Sequence, residues 1–167
     1  MDAIAQLLAI ESVKKVKATY WYAIDTKNWE LLATVFGKDS IVDFRGERDL
    51  KPGEAIDKLV LVEQALAAGD PAVAKGCENI VAFIREAATP LRTVHHGHAP
   101  IIDVRGPDEA KGIWPMFDYV DNGRTAMKGY GHYHETYRKE GGRWVIHTLV
   151  LVRLRLDGEH PAAFASS

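Results

Sequence analysis

The chain has 167 residues, of which 47% are hydrophobic and 26% are charged, and its formal net charge is −2 at pH 7. This length is most simply one domain, and the small net charge argues against nucleic acid or an anionic membrane as the main partner. Cys77 is the single cysteine, so an internal disulfide is excluded. No signal-peptide pattern or apolar run of roughly 20 residues is found, so we expect a cytoplasmic protein that binds a small molecule.

The first 25 residues have the spacing of an amphipathic helix. Apolar residues recur every three or four positions, and Lys14, Lys15 and Lys17 fall between them. This pattern predicts a helix with one apolar face and one lysine-bearing polar face, ending near Asp25.

Turn-forming residues divide the segment that follows. Thr26 is the predicted N-cap of a second helix, which Gly37 closes, and a short strand over 41–44 comes next. Two further helices are predicted, one over 54–67 and one from Pro71 to Ala88.

From Arg92 onward the pattern changes to extended chain. The predicted strands are 92–104, 108–120, 124–139 and 142–156. Asn122-Gly123 and Gly141-Gly142 are two-residue hairpin signals between the last three strands. Helices followed by a four-stranded meander indicate an α+β domain in which a curved antiparallel sheet folds over the helices.

Polar residues interrupt three otherwise apolar stretches. Asp25 ends the first helix, and His95 belongs to a cluster with His96 and His98. Arg153 lies on the last strand, where the two-residue period predicts that it shares one face with the residues Val145, His147, Leu149 and Leu151. A buried charge needs a partner, and clustered histidines suggest proton transfer or metal ligation.

Asp25 and His95 could form a catalytic dyad. An imidazole held by a carboxylate has a fixed tautomer and can act as a base. Arg153 could stabilise an enolate or a departing anion, and Tyr20 could hydrogen-bond a carbonyl or protonate leaving hydroxide. These roles predict a dehydratase, a lyase or a double-bond isomerase.

Three other interpretations stay open. His95 and His98 with His132 or His134 could supply three imidazoles to a metal ion, although their spacing is specific for neither zinc nor non-haem iron. The chain could also be a non-catalytic binding protein for an apolar ligand, or a structural small subunit of a ring-hydroxylating oxygenase. If the strand is regular, His96 and His98 point away from His95 and have a structural or surface role.

Several motifs together resemble a known family. They are Tyr20 and Asp25 five positions apart, Val94-His-His-Gly-His-Ala-Pro, Gly131-His-Tyr-x-Glu-x-Tyr, and Arg153. In order and spacing, over nearly the whole chain, the sequence resembles the SnoaL-like branch of the nuclear transport factor 2-like superfamily. Its motifs are most similar to those of bile-acid dehydratases, and more distantly to those of scytalone dehydratase and hexachlorocyclohexane dehydrochlorinase.

The resemblance implies a cone-shaped α+β barrel, in which a strongly curved sheet encloses a deep apolar pocket, and elimination without a cofactor or metal. In that pattern, His95 matches the catalytic histidine, Asp25 the carboxylate that orients it, and Arg153 the cation facing the leaving group. Tyr20 matches a pocket hydroxyl and Asp118 a further pocket acid.

We expect an aromatic pocket that suits a ring-containing substrate. Its predicted lining is Trp21, Phe44, Trp114, Tyr133 and His147. The segment 52–90 is longer than in the dehydratases and is interpreted as a helical insertion within one domain spanning 1–167. We further expect a homodimer or a homotrimer, because the outer face of an open sheet needs cover.

Overall fold

A computed structural model describes residues 1–46, 62–159 and 161 of the chain. The helices are α1 (Ala3–Asp25), α2 (Trp29–Ala33), α3 (Val62–Ala67) and α4 (Cys77–Ala88). The strands are β1 (Phe36–Gly46), β2 (Val73–Lys75), β3 (Arg92–Gly97), β4 (Ile101–Val104), β5 (Glu109–Asp121), β6 (Ala126–Glu140) and β7 (Arg143–Gly158). Within these ranges, no helix is both long and apolar enough to cross a bilayer.

The seven strands form one curved sheet that stays open. Their order is β2-β1-β7-β6-β5-β3, and β4 also pairs with β5. Every pairing is antiparallel except that of β1 with β7, which is parallel. Helix α1 packs against β3, β4 and β7, and the face of the sheet that meets α1 is its inner face. The predicted α+β architecture is confirmed, with the difference that the sheet does not close into a barrel.

Helix α1 ends at Asp25, as predicted, but the large apolar residues of its first two turns are exposed and its buried face includes a lysine. The Asp2 carboxylate caps it by accepting from the Ala5 amide at 2.7 Å. Val13, Lys17 and Ile24 lie on the buried stripe, and Lys17 is 0% exposed. The prediction that Lys17 belongs to the polar face is therefore wrong, since its spacing of four from Val13 places it on the inner face.

The segment after α1 differs from prediction at two caps. Asn28, not Thr26, is the N-cap of α2, because its side-chain oxygen accepts from the Leu31 amide at 3.0 Å. Gly37 does not close this helix but lies in β1, which is longer than predicted. The length of β1 is set by its pairing with β7, which is more than 100 residues away in the sequence. Such long-range pairing cannot be predicted from the local sequence pattern.

Residues 62–90 contain a strand that the sequence pattern did not predict. Only 62–67 of the predicted helix over 54–67 lies within the described residues, as α3. The Asp70 carboxylate accepts from the Ala72 amide at 2.9 Å, forming a local turn in place of a helix cap. Strand β2 follows on the edge of β1, and α4 begins at Cys77 instead of Pro71.

The C-terminal half follows the predicted meander. The predicted strand 92–104 is divided into β3 and β4, which both pair with β5. Asn122 stabilises the β5–β6 turn by accepting from the amides of Arg124 and Thr125, each at 2.9 Å. Gly141 and Gly142 adopt positive φ angles of 57° and 79° in the β6–β7 turn, which explains the glycine pair there.

A bulge near His147 changes which residues of β7 face inward. Tyr137 pairs with Ile146 whereas Thr136 pairs with Thr148, so β7 holds one extra residue at this point. As a result Ile146 and Leu149 belong to the same inner core cluster. The prediction that Val145 and His147 share the face of Leu149, Leu151 and Arg153 is wrong, because the bulge breaks the two-residue period.

The outer face of β7 is covered by the chain itself. Val62 and Leu66 of α3 pack against Val150 and Val152, which form a second hydrophobic cluster with Ile41. Helix α3, at the start of the described part of the predicted insertion, therefore lies against the convex side of the sheet, whereas α4 packs into the inner core.

Candidate active site

Helix α1 and strand β3 bring Asp25 and His95 into direct contact. Asp25 is the last residue of α1, and His95 is the fourth residue of β3. Nδ1 of His95 lies 2.6 Å from Oδ1 of Asp25, and the backbone N–H of His95 donates to Oδ2 at 2.8 Å. The carboxylate thus holds both the ring and the backbone of His95.

Further hydrogen bonding keeps the Asp25 carboxyl ionised. The Thr93 hydroxyl donates to Oδ1 of Asp25 at 2.9 Å. Partial burial would by itself raise the pKa of Asp25, but the hydrogen bonds and charge of His95, together with the Thr93 bond, outweigh it and lower that pKa below its usual value.

This geometry fixes the tautomer of the imidazole. An ionised carboxylate can only accept, so Nδ1 of His95 must carry the proton of the 2.6 Å bond. In the neutral ring, Nε2 then holds the lone pair and can accept a proton. The His95 side chain is 8% exposed and the Asp25 side chain 23% exposed, so the pair lies at the edge of the interior.

Arg153 and Asp118 form a second ion pair on the same face of the sheet as His95. Asp118 lies directly opposite His95 in the β3–β5 register. The two terminal nitrogens of Arg153 donate to the two carboxylate oxygens of Asp118 at 2.5 and 2.7 Å, and both side chains are buried. A Cβ on Gly129 would overlap this pair, which explains the glycine between them. The guanidinium thus has an internal partner for two of its nitrogens.

Aromatic side chains fill the inner face beside these polar pairs. Trp21 lies edge-on to Trp114 at a centroid distance of 5.6 Å, and Tyr20 lies edge-on to Tyr133 at 6.0 Å. The Trp21 ring occupies the space above Gly97, where any side chain would clash. Its indole N–H is buried and, across 1–46 and 62–159, donates to no hydrogen-bond acceptor. Four predicted aromatic site residues are therefore brought together.

A buried polar network, which the sequence patterns did not reveal, lies further along the same interior. The Lys17 ammonium pairs with the Glu135 carboxylate, and both side chains are 0% exposed. The Tyr137 hydroxyl donates to Glu135, and the Trp114 indole N–H donates to the Tyr137 oxygen at 2.9 Å. Burial lowers the pKa of Lys17 to about 8 although Glu135 opposes the change, and burial next to Glu135 raises the pKa of Tyr137. One feature of the sequence could have indicated that Lys17 is buried: it lies four residues after Val13, and therefore on the same face of α1.

The two other predicted pocket residues differ from each other in position. Phe44 of β1 packs against the inner core cluster and stacks on Phe83 of α4 at a centroid distance of 5.8 Å. His147 lies at the β7 bulge, where burial and Arg138 lower its pKa against the opposing charge of Glu140. The structure does not bring His147 to the Asp25–His95 pair, because the bulge turns it away from the inner face.

Three further histidines, His96, His132 and His134, lie on the other face of the sheet. His96 is beside Phe117 at 6.1 Å, and the rings of His132 and His134 are 6.3 Å apart. The described residues contain no group of three or more His, Cys, Asp or Glu side chains placed to hold a metal ion. The alternation of β3 and β6 separates His95 from these histidines.

Two surface grooves are found outside this interior. One of about 680 Å³ lies between α2 and α4, where Ala33, Cys77 and Arg85 contribute to its walls. Another of about 500 Å³ lies at the β4–β5 turn and is lined in part by Arg105 and Arg138. Neither is lined by Asp25 or His95.

Solved structures share this fold. The chain matches a candidate scytalone dehydratase from Novosphingobium aromaticivorans with a TM-score of 0.73 and 20% identity, over 95% of this chain and 93% of that one. It matches hexachlorocyclohexane dehydrochlorinase LinA-type3 from Novosphingobium barchaimii with a TM-score of 0.72 and 14% identity, over 95% and 94% of the two chains. At these identities the likeness shows the fold alone.

A curated relative and a family model complete the comparison. The chain is 32% identical over 78 residues to the probable cyclase FGR4 of Gibberella zeae, covering 44% of this chain and 52% of that protein. It thus spans about half the length of the curated relative that it matches. The model of the SnoaL-like domain matches residues 5–150. Because this match covers most of the chain, it shows that the chain belongs to the SnoaL-like domain family.

Proposed function

We propose that the protein is a lyase of the dehydratase type, or a double-bond isomerase, that acts on a ring-containing small molecule without a cofactor. The observation that carries the proposal is the 2.6 Å contact between His95 Nδ1 and Asp25 Oδ1. Membership of the SnoaL-like family and relatives named as dehydratase, dehydrochlorinase and cyclase support small-molecule processing of this kind.

The proposed reaction begins with His95 as the base. Nε2 of His95 takes a proton from a carbon next to a carbonyl or a leaving group, and the C–H electron pair moves into the new double bond. In elimination the leaving group departs with its bonding electrons. In isomerisation His95 instead returns the proton to another carbon, and the electron pair of the original double bond forms the new C–H bond. Asp25 supports the step because its negative charge stabilises the imidazolium.

Arg153 and Tyr20 have smaller proposed roles. Asp118 already neutralises most of the Arg153 charge, so we expect Arg153 to stabilise a developing anion less strongly than an unpaired cation would. Tyr20 is 1% exposed and lies between Phe36 and Tyr133, so its proposed contribution is to the apolar wall as well as through its hydroxyl.

The substrate class follows from the surrounding side chains. Trp21, Trp114 and Tyr133 present aromatic edges and faces near the dyad, and these surfaces favour planar or cyclic apolar molecules. We propose a cyclic β-hydroxy ketone, or a ring that carries a leaving group next to an acidic C–H. Both offer the proton and the leaving group that the proposed step requires.

The test uses a panel of such ring compounds and follows the absorbance of the new double bond. For a compound that is turned over, His95→Ala should lower kcat about 10²–10⁴-fold because the base is lost. His96→Ala is the matched control, since His96 is exposed on the other face of the same strand. Full turnover by His95→Ala would show that the proposed base is wrong.

A non-catalytic binding protein is the second candidate. The tight aromatic packing around Trp21, whose indole N–H is buried without an acceptor among the described residues, would equally suit a ligand that offers one oxygen to that N–H. Binding of the same panel, measured by quenching of tryptophan fluorescence, with no turnover by wild type would favour this candidate.

A further inference from the structure

Lys27 adopts a backbone conformation that its side chain disfavours. Its φ angle is 58°, and among the residues that the structure describes it is the one non-glycine residue with positive φ. It lies just after α1, where its amide donates to the Ile24 carbonyl at 3.1 Å. Glycine or asparagine is the usual residue in this left-handed conformation, so the lysine is held there at a conformational cost.

The Lys27 side chain returns toward the dyad. Its ammonium donates to the Thr93 hydroxyl oxygen at 3.1 Å, and that hydroxyl donates to Oδ1 of Asp25 at 2.9 Å. A threonine hydroxyl has a single proton, so accepting from Lys27 directs that proton to Asp25. Lys27 is thus the first member of a chain that ends at His95.

Charge acts in the same direction as this hydrogen bonding. Burial lowers the pKa of Lys27, and attraction to Asp25 opposes that change. Since the attraction is mutual, a protonated Lys27 favours the ionised form of Asp25.

We propose that Lys27 is a positioning residue of the Asp25–His95 dyad. It does not contact the reacting atoms; it fixes the Thr93 hydroxyl and favours the ionised carboxylate that orients the imidazole. The catalytic effect of Lys27 rests on the proposed function. Its effect on the ionisation of Asp25 does not, because that effect depends only on the contacts among Lys27, Thr93 and Asp25. The proposed role explains why a lysine is kept in a left-handed conformation: the contact of its side chain with Thr93 is needed at this position, although the backbone there would favour glycine.

Other charges around the dyad are already balanced. Asp118 of β5 faces His95 across the register, and its charge is paired with Arg153 of β7. Asp25 of α1 and Lys27 are therefore the two charges whose balance sets the field at the imidazole. Removing Lys27 leaves a negative balance, which favours protonation of the dyad.

The experiment compares Lys27→Met and Lys27→Gly with wild type, and uses Lys15→Met, an exposed lysine change on α1, as the matched control. The Asp25 carboxyl carbon is titrated by NMR, and the pH profile of kcat/KM is measured on a turned-over substrate. We expect both Lys27 variants to titrate Asp25 at higher pH. Their kcat/KM should fall about three- to tenfold on the acid limb with a nearly unchanged plateau, and the control should match wild type.

Lys27→Gly separates the proposal from a merely structural role. Because glycine adopts positive φ readily, this variant should keep or raise the midpoint of thermal unfolding while still shifting the Asp25 titration. An Asp25 titration identical to that of wild type in both variants would overturn the proposal. The titration requires no turnover, so it decides the role of Lys27 even if His95→Ala disproves the proposed function.

Discussion

Helix α1 contributes to two acid–base pairs with the sheet, and the two pairs differ mainly in burial. Lys17 pairs with Glu135, and Asp25 pairs with His95. Positions 17 and 25 lie eight residues apart, so they share a helix face about 12 Å apart along the axis. The first pair is 0% exposed on both sides, whereas the second is 23% and 8% exposed.

The difference in burial gives the two pairs different surroundings and different expected roles. The rings of Tyr20, Trp21 and Tyr133 surround the Lys17 ammonium, with the Tyr133 ring centroid 3.4 Å away. This pair completes the hydrogen bonds of the interior, and water does not reach it. The Asp25–His95 pair is partly exposed, as the proposed proton transfer from a ligand requires. One helix face thus carries an internal structural pair and, two turns later, a pair suited to chemistry.

The largest expected effect is from breaking the closed pair. Glu135→Leu leaves the Lys17 ammonium buried without its counter-charge and removes the acceptor of Tyr137. We expect the free energy of unfolding to fall by about 3–5 kcal/mol. Chemical denaturation followed by tryptophan fluorescence measures this change.

The double variant Lys17→Met with Glu135→Leu is the control for that experiment. It removes both charges and keeps a similar side-chain volume, so most of the lost stability should return. A double variant no more stable than Glu135→Leu would show that packing, and not the unpaired charge, accounts for the loss.

A smaller effect is expected from pH on the same pair. Burial lowers the pKa of Lys17 from its ordinary value of 10.5, which applies in the unfolded chain, to about 8 in the folded protein. Between these values the unfolded chain binds more protons, so this group makes stability increase as pH rises from about 8 toward 10. Relative to the double variant, wild type should gain about 1–3 kcal/mol over that interval. A constant difference between the two proteins would contradict the lowered pKa.

The smallest effect on stability is expected at the open pair. Asp25→Asn keeps an acceptor oxygen for Thr93 but loses the charge, so we expect a loss of about 1 kcal/mol in unfolding free energy. The Asp25 pKa is lowered from 3.8, so its contribution is present above that pH and is lost as pH falls through the lower folded value. Wild type and variant should therefore converge in acid unfolding curves below about pH 4. A loss as large as that of Glu135→Leu would remove the contrast between the pairs.

Local sequence patterns were sufficient for the elements that depend on local contacts. The spacing of apolar residues predicted α1 to within a residue of Asp25, and the glycine pair at 141–142 predicted the β6–β7 hairpin. Strand β2 and the full length of β1 were missed, because both exist through pairing with distant chain segments. The β7 bulge was missed for the same reason: an extra residue is visible only in the register with its neighbour.

Residues of the candidate site could be predicted from the sequence only where the residue type itself indicates a chemical role. Four site residues were predicted, either as polar groups in apolar stretches or through the family resemblance. The structure arranges them in two pairs, Asp25 with His95 and Asp118 with Arg153. Lys17 was missed because lysine on an amphipathic helix is ordinarily solvated, and its partner Glu135 is 118 residues away. Their pairing depends on the packing of α1 against β6.

Helix α3 has a consequence for assembly. By burying Val150 and Val152, it takes the place on β7 that a neighbouring subunit could have used. If the predicted homo-oligomer forms through the convex side of this sheet, the contact must therefore shift to β5 and β6, where Phe117 and Tyr130 lie 5.3 Å apart. Helix α3 would in this way limit the part of the convex face on which copies of the chain could meet.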